Sequence, residues 1–291
     1  MEVLSTTIIW AKVVGDGRWS YEGQLPYFKK TESHHNPSAD PVQHGFDGPI
    51  HTTNVSSSHP NRVYPLKNEL RAAWEKVGVQ YIEDYNNGSP LGLAEMVENW
   101  RDGKRQFARD AYDLSGVHIL LSTLVESLII EDLNGQKIAT GVNLSNGSKF
   151  FAAEEVIVSA GVFRSAQLLM LSGIGPKVEL SKHDIPVVVD SLEVGRNFYD
   201  HLALVQWWEL CHPERGLAMG TPLWKDPGYR FGKPIDWIAF QQTPRDQLVK
   251  SFGVDEGEVD EIVLDPGCVH TETLVVYAPT GKFTGDAEYS L

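Results

Sequence analysis

The sequence predicts a mixed α/β protein, because stretches with strand-like and helix-like patterns alternate along it. Residues 156–158, Val-Ile-Val, form an apolar run that is followed by small residues and then by a helical pattern over 165–171. Residues 116–152 are rich in β-branched and aliphatic side chains interrupted by two Asn-Gly pairs, which favours a meander of strands. Residues 61–77 carry apolar side chains at three- and four-residue steps, which is typical of an amphipathic helix.

Composition indicates a globular protein and excludes several classes of partner. The 291 residues are 42% hydrophobic, enough for one large core or two smaller ones. The 25 basic and 39 acidic residues give a net charge of −14, which argues against a surface for nucleic acid or anionic membrane. No run reaches the ~18 apolar residues of a membrane span. The first residues lack the basic start of a secretory signal, so a cytoplasmic location is the expectation.

The two cysteines, Cys211 and Cys268, are too few for a disulfide framework or a metal cluster. We expect them to be buried free thiols, with one disulfide between them as the alternative.

A second candidate group consists of three histidines, His34, His35 and His44, in the polar segment 31–58, which we predict to be a loop. Without cysteines or carboxylates at ligand spacing, we interpret them as solvated loop histidines and assign no metal site.

The first predicted element is a helix that begins after Ser20, a residue type that caps the amino ends of helices. Its apolar face would consist of Leu25, Tyr27 and Phe28. The helix over 61–77 comes next and ends at Gly78. Residues 116–132 should then form two strands in quick succession, and the Asn-Gly turns should connect them to further strands over 137–144 and 148–152.

The strand–turn–helix unit around residue 160 is the predicted functional core. We predict that residues 156–158 are a buried strand, that Ser159, Ala160 and Gly161 form a tight turn, and that the following helix ends at Gly173. A turn without bulky side chains lets backbone amides approach a phosphate or a ribose. The alternative is a structural turn without a ligand. After residue 201, aromatic residues and prolines dominate, and residues 270–277 have a strand pattern.

Two blocks resemble a known family. Val158-Ser-Ala-Gly161, Gln167-Leu-Leu169 and Leu171-Ser-Gly-Ile-Gly-Pro176 are similar to the second signature of the glucose–methanol–choline (GMC) family of flavin oxidoreductases, although Val162 and Ala166 replace its usual Ala and Pro. The next landmark of that family is similar to residues 194–201, VGRNFYDH. The run GRWSYEGQLPYFKKTE at 17–32 resembles the segment that follows the first signature of the family.

The resemblance implies a fold and a division into domains. It implies a partial GMC-type FAD-binding domain over 1–203, with loop and helix excursions over 31–115. A partial antiparallel-sheet substrate domain would follow over 204–291. Residues 103–112 resemble a family helix. The basic residues of this helix could bind phosphate, but acidic neighbours favour a solvated face.

The resemblance also implies the cofactor FAD and its contacts. Ser159, Ala160 and Gly161 would lie beside the adenosine part of FAD, and Val125 would touch its adenine end. An ordinary core valine is the alternative for Val125. The adjacent Asp200 and His201 could suggest acid–base catalysis. In the family, however, this block is structural and lies near the flavin.

The implied activity is oxidation of a small-molecule alcohol at its CH–OH group to a carbonyl, with hydride transfer to flavin. No G-x-G-x-x-G follows a strand in these 291 residues. The resemblance places the catalytic histidine pair beyond Leu291, so no catalytic residue is assigned and the chain is interpreted as truncated. We expect it to be inactive alone and to hold FAD weakly. The alternatives are an inactive remnant or binding module, and a fragment that needs a partner chain. A fungal-type secondary-metabolism enzyme is compatible by family analogy.

Overall fold

The structure of the protein, a computed structural model, describes residues 10–221, 224, 227–253 and 255–278. Its chain forms two compact units. The first, called the sheet unit here, comprises Met1–Ser115 and Glu209–Leu291; the second, the hairpin unit, comprises Gly116–Trp208. These units divide the chain differently from the domains predicted over 1–203 and 204–291, since residues 31–115 group with 209–291. The predicted boundary at residues 203 and 204 separates the domains of the family fold. The compact units do not test that boundary, so it stays a prediction.

Helices and strands alternate along the chain, which confirms the mixed α/β class. Residues 10–14 are helical. The helices that follow are α1 Tyr21–Thr31, α2 Val55–Ser58, α3 Lys67–Lys76, α4 Ala108–Ala111, α5 Gly161–Leu171, α6 Lys177–Ser181 and α7 Arg245–Phe252. The strands are β1 Glu32–His34, β2 Ile50–Asn54, β3 Gly92–Glu95, β4 Val97–Glu98, β5 Trp100–Arg101, β6 Lys104–Arg105, β7 Val125–Leu133, β8 Gln136–Leu144, β9 Lys149–Phe151, β10 Ile174–Gly175, β11 Val189–Asp190, β12 Trp237–Gln241 and β13 Thr271–Leu274.

The sheet unit contains two three-stranded sheets and a short hairpin. In one sheet, β12 lies between β3 and β13 and is antiparallel to both. In the other, β2 is parallel to β1 and antiparallel to β4. Apolar side chains beneath these sheets form buried clusters, which include Leu93, Trp237 and Ala239 as well as Val55, Tyr64, Tyr229 and Tyr277. Helix α1 begins after Ser20, whose Oγ accepts a hydrogen bond from the amide of Gly23 at 3.2 Å, as predicted.

The hairpin unit is built on the predicted meander. Strands β7, β8 and β9 pair in chain order and antiparallel. Asn134 and Gly135 connect β7 to β8 with φ of +56° and +83°, the left-handed backbone that an Asn-Gly hairpin turn requires. Helix α5 follows, and β10 and β11 pair parallel beyond it. The predicted turns and meander are confirmed.

Two predicted strands of this unit do not form. Residues 116–124 contain no strand, and Ile119, Leu120 and Leu121 are exposed. Residues 156–158 form no strand, and Ile157 is 77% exposed rather than buried. A strand is stable only when a neighbour satisfies its backbone groups and covers its side chains. Among the described residues, neither segment has such a neighbour.

Two predicted helices are shorter than expected. Helix α3 begins at Lys67 instead of residue 61, because Pro65 disfavours helical backbone at the residue before it. Within 103–112, only Ala108–Ala111 are helical. Asp102 and Gly103 have φ of +51° and +72° and turn the chain between β5 and β6, so the Asp-Gly pair prevails over the helical pattern. The basic side chains of this segment are exposed, as predicted.

Cys211 and Cys268 are free thiols, but Cys211 is exposed rather than buried. None of the described helices is long and apolar enough to cross a bilayer.

Candidate functional site

The predicted cofactor turn lies at the amino end of α5. Ser159, Ala160 and Gly161 are exposed, and no side chain caps this end of the helix. Gly161 has φ of +83°, and a Cβ placed on it would meet no atom within 4 Å. The first amides of the helix and the positive end of its dipole therefore face open space. This arrangement fits a phosphate or ribose oxygen, the kind of group that FAD would place there.

The carboxyl end of α5 is fixed by the Ser-Gly-Ile-Gly motif. Ser172 Oγ donates to the carbonyl of Leu168 at 2.6 Å and accepts from the amide of Leu128 in β7 at 2.8 Å. Gly173 has φ of +79°, and a Cβ there would lie 2.5 Å from the carbonyl oxygen of Pro186. The motif therefore closes the helix and holds it against β7, so that the direction of the exposed amino end is determined by packing.

Val125, the other predicted cofactor contact, opens β7 and is half-buried. It lies opposite Leu144 of β8 and belongs to the same unit as the turn at Ser159–Gly161. Its contact with FAD, like the contacts of the turn, stays a prediction. Asp200 and His201 are exposed, and the amide of His201 donates to Asp200 Oδ1 at 2.8 Å.

A buried polar cluster in the sheet unit was not predicted. The His44 side chain is only 2% exposed and lies between two carboxylates. Its Nδ1 is 2.9 Å from Glu32 Oε2, and its Nε2 is 2.7 Å from Asp84 Oδ2. Hydrogen bonds to Asp84 and Glu32 raise the pKa of His44 to about 9, although burial opposes the charge. The prediction of a solvated loop histidine is therefore wrong for His44, whose ring is charged at neutral pH and donates from both nitrogens.

Glu32 and Asp84 are both ionised partners in this cluster. Burial is the largest single effect and opposes their ionisation. The hydrogen bonds and charge of His44, with the hydrogen bonds from Thr52 and Gly45 to Glu32 and from the amide of Asn86 to Asp84, together outweigh it and keep both pKa values below their usual range. Glu32 also accepts from Thr52 Oγ1 at 2.9 Å and from the amide of Gly45 at 3.2 Å. Local sequence could not reveal this cluster, because Asp84 lies 40 residues from His44.

Gly45 offered a weak signal for close packing at this point. A Cβ on Gly45 would lie 1.8 Å from the carbonyl oxygen of Lys29, so only glycine fits after His44.

A cavity of about 290 Å³ lies in the same unit. Its lining includes the β5–β6 hairpin and strand β2, and the residues are His35, His51, Thr52, Thr53, Ser57, Ser58, Trp100, Arg101 and Asp102. The His35 ring has a buried Nδ1 without a hydrogen-bond partner in the described part of the chain. Burial lowers the pKa of His35, and the nearby His34 lowers it further, so the ring is neutral at pH 7.

Comparison with known proteins identifies the family. The family profile of the GMC oxidoreductases matches residues 5–203, which include the turn, Val125 and the Ser-Gly-Ile-Gly motif. The chain belongs to the GMC oxidoreductase family. The resemblance inferred from the motifs is thereby confirmed.

Three relatives illustrate the extent of the match. The GMC-type oxidoreductase acuG of Aspergillus aculeatus is 38% identical over 97% of this chain and 49% of its own length. The oxygen-dependent choline dehydrogenase of Rhizobium rhizogenes is 36% identical over 66% of this chain and 34% of its own. Among solved structures, an Aspergillus oryzae formate oxidase studied for FAD modification superposes with a TM-score of 0.66 at 25% identity, covering 86% of this chain and 46% of the oxidase. This GMC chain spans about half the length of the Aspergillus aculeatus relative and about a third of the length of the choline dehydrogenase.

Proposed function

We propose that this GMC chain is part of an FAD-dependent oxidoreductase that oxidises an alcohol at its CH–OH group to a carbonyl. The observation that carries the proposal is the open amino end of α5, formed by family-matching residues and free of side-chain caps. Bound FAD would supply the acceptor for the hydride that leaves the alcohol carbon. The residues of this chain would bind and orient the cofactor.

The roles of the individual residues follow from their positions. The amides after Ala160 would donate to a phosphate or ribose oxygen, and the absence of a side chain at Gly161 would allow close approach. Val125 would provide an apolar contact for the adenine ring. No general base is assigned among the 291 residues.

A place in fungal secondary metabolism is proposed by family analogy alone. The match to the Aspergillus aculeatus protein extends over 97% of the chain, whereas the match to the bacterial choline dehydrogenase covers 66%. The match to the Aspergillus aculeatus protein leaves about 3% of the chain outside it, so it includes most of residues 204–291, the predicted substrate domain.

A hybrid enzyme tests the proposal. The segment of the Aspergillus aculeatus relative that matches this chain is replaced by residues 1–291, and alcohol-dependent dye reduction is measured with a panel of alcohols. The proposal predicts a yellow protein that reduces the dye with at least one alcohol. A folded, yellow hybrid that reduces dye with none would favour the inactive-remnant alternative.

The isolated chain is expected to behave differently from the hybrid. Absorption spectra of residues 1–291, recorded before and after addition of FAD, should show free-cofactor bands only. The reason is that segments 116–124 and 156–158 form no strands, so the hairpin unit, which carries the predicted cofactor turn, lacks neighbouring strands that would stabilise it. Alcohol-dependent dye reduction by the pure isolated chain would overturn this expectation. Activity of the chain only when the remaining segments are added as a separate polypeptide would favour the partner-chain alternative.

A further inference from the structure

We propose that Glu32, His34 and His44 bind one zinc ion, with Asp84 positioning His44 from outside the coordination sphere. The site is distinct from the cofactor turn, since it lies in the sheet unit, and it goes beyond the proposed oxidoreductase function. With a water molecule as its fourth ligand, the ion would link β1 to the segment that carries His44.

The donor set and its spacing suit zinc. One ligand atom from each of the three residues lies within 4.8 Å of the other two. Zinc bonds of ~2.0–2.2 Å place tetrahedral ligands roughly 3.3 Å apart, so the widest pair must close by about 1.5 Å. Glu32 Oε2 and His44 Nδ1, now 2.9 Å apart in a hydrogen bond, must separate by about 0.4 Å to reach this spacing. Two imidazoles and one carboxylate favour zinc over magnesium or calcium, which prefer oxygen donors alone.

The side chains of the proposed site are buried or half-buried and are oriented by hydrogen bonds, as is typical of metal ligands. Glu32 and His44 are buried, and the ring of His34 lies 4.2 Å from that of His44 between centroids. Asp84 accepts from His44 Nε2 at 2.7 Å, the carboxylate–histidine arrangement that orients metal-bound imidazoles. His34 Nδ1 lies 3.2 Å from the backbone N–H of Asn36, which restrains the second imidazole.

Charge also favours a divalent cation. Two carboxylates, Glu32 and Asp84, face one histidine between them, so the cluster retains a negative charge even when His44 is protonated. Zinc would take the place of the proton on His44 Nδ1 and release it to solvent. The proton on Nε2 would stay on His44 and continue to donate to Asp84. The exchange replaces the single positive charge of the proton by the two positive charges of Zn²⁺, which balance the negative charges of the two carboxylates.

The test is a zinc titration of the full chain in chelator-treated buffer, with Zn²⁺ as the only added ligand. Stoichiometry is measured by competition with a chromophoric chelator, and thermal unfolding is followed by circular dichroism. We expect one zinc per chain and a rise of several degrees in the unfolding midpoint, because the ion binds only the folded state. Mg²⁺ at the same concentration should give no shift.

Two variants locate the ion. His34→Ala removes a ligand without removing any partner of the Glu32–His44–Asp84 hydrogen bonds, so it should weaken zinc binding at least tenfold. The metal-free midpoint is measured separately, because the variant also loses the ring contact with His44 and the hydrogen bond with Asn36. His34→Gln serves in its place if the alanine variant is unstable. The control is His212→Ala, which removes an exposed histidine beside Glu214 and should bind zinc like the original chain.

The proposal is wrong if the original chain binds no stoichiometric zinc, or if His34→Ala binds it as tightly as the original. If the isolated chain aggregates, the same titration is made on the hybrid enzyme, which contains the same residues. Zinc binding and flavin binding are measured separately, so failure of either proposal is recognised independently of the other.

Discussion

Asp236, at the start of β12, is a fully buried carboxylate of the sheet unit. Its Oδ1 accepts a hydrogen bond from the hydroxyl of Tyr277 at 2.6 Å, while its Oδ2 has no partner in the described part of the chain. Burial raises the pKa of Asp236 to about 6, although the hydrogen bond from Tyr277 and the nearby Lys67 oppose the shift. The pKa of Tyr277 is also raised, first by burial, so its hydroxyl stays protonated as the donor.

This raised pKa predicts a specific pH dependence of stability. The folded chain holds the Asp236 proton more tightly than the unfolded chain, whose pKa is near 3.8. The contribution of Asp236 to stability is therefore highest below about pH 4, decreases up to about pH 6 and is constant above. Asp236→Asn should stabilise the chain at pH 7 by about 2–3 kcal/mol and leave it nearly unchanged at pH 4. Denaturant unfolding at both pH values measures this, and an equal effect at both would refute it.

Arg62 is a buried cation that joins distant parts of the sheet unit. Its side chain forms an ion pair with Glu98, donates to the carbonyl of Lys233 at 2.8 Å and lies 5.3 Å from the ring centroid of Trp100. Arg62→Met should destabilise the fold by about 3–5 kcal/mol, because Glu98 is left as a nearly buried charge without its partner. Lys182→Ala, which removes an exposed ion pair with Glu179, is the control and should show no measurable change in the same unfolding assay.

Residue-scale prediction from sequence depended on local chemistry. Ser20 as a helix cap could be recognised because its partner lies three residues away. The environment of His44 could not be recognised from sequence, because its two carboxylate partners lie 12 and 40 residues away along the chain. Ser159 and Gly161 were predicted to form a turn ahead of a helix over 165–171, whereas the helix α5 begins at Gly161 itself. Their contact with a cofactor was inferred from the family alone.

At the scale of elements, Ser172 determines how α5 is held. Its hydroxyl donates to its own helix and accepts from the β7 amide of Leu128. Ser172→Ala would leave that buried amide without an acceptor and should cost about 1–3 kcal/mol. Ser181→Ala is a matched control, because Ser181 also donates to the carbonyl four residues earlier but accepts no strand amide. Equal effects of the two substitutions on thermal unfolding would contradict this role.

Element prediction succeeded where a short-range signal and the fold agreed. The Asn-Gly pairs located the turns of the β7–β9 meander, and the Ser-Gly-Ile-Gly motif located the end of α5. The helix expected over 103–112 was wrong because the Asp-Gly pair was overlooked as a hairpin turn. The strand at 156–158 was expected from its apolar composition, but composition does not show whether a neighbouring strand is present.

At the scale of the whole molecule, the two segments 116–124 and 156–158 should differ from the rest of the hairpin unit in dynamics. Their backbone amides have no strand partner in the described part of the chain, whereas β7 and β8 pair over nine residues each. Hydrogen exchange of the isolated chain should therefore be fast in both segments and slow in β7 and β8. In the hybrid enzyme, the segments should become protected. Strong protection of 156–158 in the isolated chain would show that the unit is already complete.

The family and the fold class could be predicted from the sequence because the GMC motifs are local and ordered along the chain; the cofactor FAD stays a prediction that follows from the family. The division into compact units could not, since residues 31–115 associate with residues 209–291 through contacts between distant segments. The proposed oxidation depends on the correct assignment of the α5 turn to FAD.

The most direct test of that assignment is the flavin content of the hybrid enzyme carrying Gly161→Ala, compared with Gly135→Ala. Both glycines have φ of +83° and open space around a Cβ, so the two substitutions impose the same backbone strain. We predict that Gly161→Ala weakens FAD binding at least tenfold, about 1.4 kcal/mol, whereas Gly135→Ala leaves the visible spectrum and affinity unchanged. Equal flavin content in the two variants would contradict a cofactor at the amino end of α5.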